Sequence, residues 1–118
     1  MTTSIGGRAR AGLSSVGLVS VNEPAKPISE RRFQQQVIRL AELFGWRWYF
    51  THDSRHSPAG FPDLVLVRRP RIIFAELKAE RGHTTSAQVD WLSALSECGL
   101  EAYVWKPSVW KIVESILR

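Results

Sequence analysis

Cysteine is all but missing from this chain: Cys98 stands alone, which rules out an internal disulfide and suits a reducing compartment, with the cytoplasm as the expected location. The same scarcity argues against structural zinc, because His52, His56 and His83 fall on expected strand ends and loops with no cysteine beside them. Long hydrophobic runs are also missing. No stretch approaches the roughly 20 apolar residues of a membrane span, and the mildly apolar segment from Ala11 to Val21 is broken by Ser14, Ser15, Gly17 and Ser20. Neither a membrane partner nor a secretory signal is expected. Negative charge is the minority sign, with 11 Asp and Glu against 16 Lys and Arg and a formal net charge of +5. With a pI near 10.0, so small a protein suits a polyanionic partner, although ordinary solubility would explain the charge alone.

A chain of 118 residues, 44% of them hydrophobic, can build one compact core and is too short for two ordinary domains. Residues 1–27 are rich in Gly, Ser, Ala and Thr and end in Pro24 and Pro27, so they are expected to form a flexible arm. On it, Arg8, Arg10 and Lys26 either touch a nucleic-acid backbone or have no role. Residues 28–118 form the expected domain. Ser29 is placed to cap a helix, with Ile28 and Phe33 at the spacing of a hydrophobic staple. Phe33, Val37, Leu40, Ala41 and Phe44 recur at helical intervals, and Gly45 can end the element. Trp46 to His52 alternates and is rich in aromatic residues, as strands are. Asp53 to Gly60 is polar and reads as a loop.

The next segment predicts a β-hairpin. Leu64 to Val67 and Ile72 to Phe74 are short apolar runs, and Arg68-Arg69-Pro70-Arg71 between them reads as a turn. With Arg68 opposite Arg71, the register puts Asp63 of Gly60-Phe61-Pro62-Asp63 opposite Glu76 of Ala75-Glu76-Leu77-Lys78. Opposed residues have Cβ atoms roughly 4.5–5.5 Å apart, and like charges so placed destabilise a sheet unless something compensates. A divalent cation would. Strand alternation puts Lys78 on the face of Glu76. Hard cations such as Mg²⁺ or Mn²⁺ are commonly held by one or two carboxylates with water and substrate phosphate. An adjacent ammonium can orient water or stabilise developing charge. The bland alternative is an Asp in a turn and an exposed Glu–Lys pair, but the apolar run around Glu76 argues for a central strand, where unpaired charge is costly.

After the hairpin, Thr85-Ser86-Ala87-Gln88 has the spacing of a capping box, and Val89, Leu92 and Leu95 set a helix against the sheet. A strand from Glu101 to Lys106 and a helix from Pro107 to Leu117 complete the domain. Trp91, Trp105 and Trp110 read as core rather than as base-stacking platforms. Several polar residues admit two readings. Glu30 falls roughly 40° from the centre of the first helix's apolar stripe, so it faces inward or simply favours the positive helix end. Gln34, one turn later, shares its role or is solvated. Ser54, Arg55 and His56 on the loop are candidates for phosphate contacts, or Asp53 and Ser54 form a local turn. Arg81 joins this set, and Arg47, Arg68, Arg69 and Arg71 also cluster around the hairpin, where their guanidinium forks would suit phosphate.

Taken together, Gly60-Phe61-Pro62-Asp63, the apolar strand and Glu76-Leu77-Lys78 resemble the PD-(D/E)XK nuclease superfamily. The fuller pattern is similar to the virus-type replication-repair nuclease family, VRR-NUC. Glu30 and Gln34 on the first helix, Asp53-Ser54-Arg55, Gln88 and Val104-Trp105-Lys106-Pro107 echo that family, over about residues 28 to 118. The resemblance implies an α/β fold with a restriction-endonuclease-like αβββαβα core and a mixed central sheet flanked by helices. It implies catalytic roles for Glu30, Asp63, Glu76, Lys78 and Gln88, and Mg²⁺ or Mn²⁺ held by Asp63, Glu76 and the Leu77 carbonyl. Gln34, Ser54, Arg55, His56 and Arg81 would meet nucleic acid. Family members occur as small viral proteins and as the nuclease module of a Fanconi-associated repair enzyme, so the implied substrate is branched or flapped DNA, a four-way Holliday junction included. Cutting two strands of a junction suits two-fold related sites, and a homodimer is expected. Two other functions share the motif: a structure-specific DNA-binding module without catalysis, and a restriction-like endonuclease that reads base sequence.

Overall fold

Ser29 lies in extended backbone, and its Oγ accepts the Arg32 N–H at 3.1 Å, so helix α1 starts at the next residue and runs Glu30–Leu43. The computed structural model describes residues 26–51, 53 and 55–118, and most of the expected N-terminal arm lies outside them. After α1 come strands β1 (Arg47–Phe50), β2 (Leu64–Arg68) and β3 (Arg71–Leu77), helix α2 (Ser86–Glu97) and strand β4 (Glu101–Trp105). A 3₁₀ turn (Pro107–Val109) leads into helix α3 (Trp110–Leu117). The four strands lie in chain order; β1, β2 and β3 are antiparallel, while β4 joins β3 in parallel. This is the expected mixed sheet flanked by helices. The final helix departs in one detail, because the backbone over Pro107 tightens to an i to i+3 pattern before α3 begins.

The hairpin register is the expected one, with Leu64 opposite Ala75 and Arg68 opposite Arg71. It places the two faces of β3 in different surroundings. Ile73, Ala75 and Leu77 point to the main core with Phe33, Val37 and Ala41 of α1 and Val113 and Leu117 of α3, all fully buried. Phe74 and Glu76 point to the other face, where Phe61 packs edge-on against both Phe74 and Trp91 of α2, with ring centroids 5.9 and 5.1 Å apart. No residue of α2 is fully buried, so this second layer is thin.

At the turn end of the hairpin, Arg68 and Arg71 stack over the Trp46 ring at 4.6 and 5.1 Å. The Arg68 guanidinium donates to the carbonyls of Phe44 and Leu117, at 2.9 and 3.0 Å. Arg71 donates to the Ile116 carbonyl and pairs with both oxygens of Glu101, at 2.7 and 2.8 Å. These arginines therefore satisfy helix-terminal carbonyls, an assignment that overturns the expectation that they meet phosphate. Five residues of strand, about 3.4 Å each, separate them from Asp63.

Gly60 has φ +99°, and a Cβ there would lie 2.5 Å from the carbonyl carbon of Ala87 in α2. This close approach holds the Gly60-Phe61-Pro62-Asp63 loop against the helix. Gly60→Ala should lower the unfolding free energy by at least about 2 kcal/mol, from the left-handed backbone and the overlap together. Urea unfolding would show it as a reduced midpoint, and an unchanged midpoint would refute this account of the loop.

Candidate active site

Asp63 is fixed at the mouth of β2 from two sides. Thr51, just past β1, donates its N–H to the Asp63 carbonyl at 2.8 Å, and its hydroxyl reaches the carbonyls of Pro62 and Asp63 at 2.9 and 3.2 Å. The Asp63 carboxylate accepts the Leu77 N–H of β3 at 3.0 Å, so the side chain crosses to the neighbouring strand. Sequence reasoning did not single out Thr51; its only signal was a hydroxyl residue at the end of an alternating strand.

Glu76 is 1% exposed and is the one charged residue among those buried in the described chain. Its Oε2 takes two partners: the Lys78 ammonium at 3.3 Å and the Gln88 side-chain N–H at 3.0 Å. Its Oε1 is buried with no hydrogen-bond partner. A buried acceptor in that state is costly unless another group supplies positive charge. Burial raises the Glu76 pKa from 4.5 to about 7, helped by the neighbouring Asp63 carboxylate and opposed by Lys78. The register that sets Leu64 opposite Ala75 continues to Asp63 and Glu76, so the two carboxylates are neighbours that one cation could share.

Lys78 follows on the same face. Its N–H donates to the Trp105 carbonyl of β4 at 3.0 Å, and its side chain is 13% exposed, so the ammonium can meet a substrate while held to Glu76. Gln88 belongs to the capping box and also touches Glu76. Its Oε1 accepts the Thr85 N–H at 2.9 Å, Thr85 Oγ1 accepts the Gln88 N–H at 3.2 Å, and its amide nitrogen turns to Glu76. The cap of α2 therefore orients the glutamine that braces the buried carboxylate.

The outlying candidates are not joined to this cluster by hydrogen bonds. Glu30 is exposed on the first turn of α1 and receives the Gln34 side-chain N–H at 3.4 Å; among the described residues neither bonds to Asp63 or Glu76. Arg55 folds back on Asp53 through two side-chain bonds of 3.0 and 2.8 Å, with its own N–H on the same carboxylate at 3.2 Å, which is the local turn of the alternative reading. His56 and Arg81 are exposed, while Ser54 lies outside the described residues.

The donors present suit a hard divalent cation. Asp63 and Glu76 supply oxygen, Leu77, whose N–H meets Asp63, lies between Glu76 and Lys78, and the unpaired Glu76 Oε1 lacks the positive partner that a cation would provide. Among the described residues no group of three or more His, Cys, Asp or Glu could hold a metal. Two carboxylates leave coordination places that substrate and water would fill, unlike the closed cage of structural zinc.

The model of the VRR-NUC domain matches residues 18–108 of the chain. A solved structure described as a VRR-NUC domain protein is similar at a TM-score of 0.63 and 20% sequence identity, over 77% of this chain and 87% of that one; at that identity the likeness bears on the fold. No curated protein matches. Among the described residues no helix is long and apolar enough to cross a membrane.

The raised pKa makes stability depend on pH in a stated direction. Between 4.5 and about 7 folded Glu76 keeps a proton that the unfolded chain releases, so its stabilisation is complete below that window and lost above it. Without divalent metal, stability should fall by about 3 kcal/mol from about pH 4 to about pH 8 through this group. Chemical unfolding across that range should show the fall in the wild type and not in Glu76→Gln; equal slopes would remove Glu76 as the cause.

Proposed function

The chain belongs to the VRR-NUC domain family, a nuclease module, and from that premise we propose that it is a metal-dependent endonuclease hydrolysing phosphodiester bonds in branched DNA, four-way junctions included. The observation that carries the reading is the unpartnered Glu76 Oε1, buried beside Asp63 with Lys78 on the same face.

In this reading Asp63 and Glu76, with the Leu77 carbonyl, hold Mg²⁺ or Mn²⁺. The ion, when bound, lowers the pKa of a coordinated water and neutralises charge on the scissile phosphate. Lys78 donates hydrogen bonds to the attacking water or to a phosphate oxygen, and its charge opposes the build-up of negative charge in the transition state. Gln88 positions the Glu76 carboxylate and, through Thr85, ties it to α2. Glu30 is assigned to the approach of the substrate from α1, together with Gln34. Arg55, His56 and Arg81, exposed near the loops that flank the site, and Ser54 contact the DNA backbone and fix register rather than sequence. The nuclease domain is placed at residues 28–118, following an arm of residues 1–27, and the enzyme is assigned to the cytoplasm. Two copies related by a two-fold axis would present two sites to a junction, and repair or recombination intermediates are the natural source of such DNA.

Labelled four-way junction, 5′ flap and linear duplex of matched sequence should be incubated with protein in Mg²⁺, Mn²⁺ or EDTA. Cutting should require the metal and favour branched DNA, and Glu76→Gln and Lys78→Ala should each lower the rate by about 10²–10³-fold. Binding with no cutting in either metal would replace this reading with a non-catalytic DNA-binding module, and cutting that follows base sequence would replace it with a restriction-like enzyme. Light scattering should report two copies; a monomer with and without DNA would remove the dimer.

A further inference from the structure

On the α2 face of the sheet, a pocket of about 330 Å³ is lined by Tyr49, Phe61 and Trp91, together with Thr51, Asp53, Ser57 and Pro58. We propose that this pocket receives a single unpaired nucleobase of the substrate strand, so that the protein selects DNA with an extrahelical or single-stranded nucleotide next to the bond it cuts. The proposal rests on the nuclease reading for its biological use, and it names what that site recognises.

Three of the walls are aromatic and two are fixed. Phe61 is clamped edge-on between Phe74 and Trp91, and the Trp91 indole N–H donates to the Ala59 carbonyl at 3.0 Å. Tyr49 is different. It is 68% exposed, and among the described residues its side chain makes no hydrogen bond and no ring contact. A rigid aromatic corner facing a free tyrosine is a stacking site with one open place, and every nucleobase has a flat face to fill it. The volume falls at the lower end of small-ligand pockets, which suits one base and not a stacked base pair.

The position ties the pocket to the chemistry. Thr51, in its lining, is the residue whose N–H and hydroxyl hold the carbonyls of Asp63 and Pro62. Phe61, in its wall, lies two residues before Asp63. A base seated against Tyr49 therefore belongs to a nucleotide adjoining the phosphate at the carboxylates. Arg55 is bonded to Asp53 of the pocket lining through Nε and one terminal nitrogen, and its side chain is 82% exposed. Its other terminal nitrogen has no partner among the described residues and can donate to a phosphate of the same strand.

Polar groups suited to reading base edges are few. The Thr51 hydroxyl is committed to backbone, and Asp53 is held by Arg55, which leaves the Ser57 hydroxyl. The pocket should therefore accept any base, and selectivity should come from the cost of unstacking. That cost is high in a paired duplex and small at a bulge, a gap or a junction crossover. Substrate selection would then follow structure rather than sequence.

The test uses binding without cutting, so it stands or falls apart from the nuclease reading. Full-length protein in EDTA is titrated into duplexes of equal length, one fully paired and one with a single-nucleotide bulge carrying 2-aminopurine. The wild type should bind the bulged duplex several-fold more tightly and quench its fluorescence. Tyr49→Ala, at an exposed position, should weaken bulge binding about tenfold and abolish the quench. The paired duplex should change by less than about twofold, as expected for contacts to phosphate alone, and Tyr49→Phe should restore the bulge preference. Equal affinity of the wild type for both duplexes would overturn the proposal, as would equal losses on both in Tyr49→Ala.

Discussion

The carboxylate of Glu76, buried in the central strand of the sheet, is the constraint around which the rest of the domain is arranged. A charged group there loses its hydration, and only one of its two oxygens is compensated, by Lys78 and Gln88. Each compensating residue needs its own support. Gln88 is presented by the capping box of α2, and α2 is held to the loop that carries Asp63 because Gly60 leaves room for the Ala87 backbone. Asp63 is pinned in turn by Thr51 and by the Leu77 N–H. The uncompensated oxygen is thus surrounded by a tightly specified shell, and such local cost inside a consistent fold is characteristic of a functional site.

The two ends of the hairpin carry opposite charge and do different work. At the turn, positive guanidinium groups cover Trp46 and take up the carbonyls that end α3, which joins the last helix to the sheet. At the open end, the carboxylates of Asp63 and Glu76 gather with the Lys78 ammonium. The sheet's core face, filled by α1 and α3, supplies the rigidity. The other face, covered lightly by α2, leaves room for chemistry and for the aromatic pocket. A firm layer on one side and an accessible one on the other is how a small domain can bury a core and still present a site.

Much of this was legible in the sequence because local patterns carried it. The Ser29 cap, the apolar stripe of α1, the capping box at Thr85 and the hairpin register each depend on residues close together in the chain. The register alone, set by a short turn between apolar runs, placed Asp63 beside Glu76, and alternation placed Lys78 on the same face. The arginines of the turn were misread for the converse reason. Nearness along the chain suggested nearness to the carboxylates, but an extended strand carries residues apart as fast as any structure can.

By itself, then, the sequence determined the element order, the register of the hairpin and the acidic and basic residues that meet at its open end, since these follow from periodicity and turn chemistry over short spans. Only the tertiary structure decided which oxygen of Glu76 is left without a partner, that Gln88 serves cap and carboxylate together, and that Arg68 and Arg71 belong to the C-terminal helix. It alone brought Tyr49, Phe61 and Trp91 around one pocket. Those outcomes depend on the packing of α2 and α3 on opposite faces of the sheet, where contacts join residues far apart in the chain and no local pattern records them.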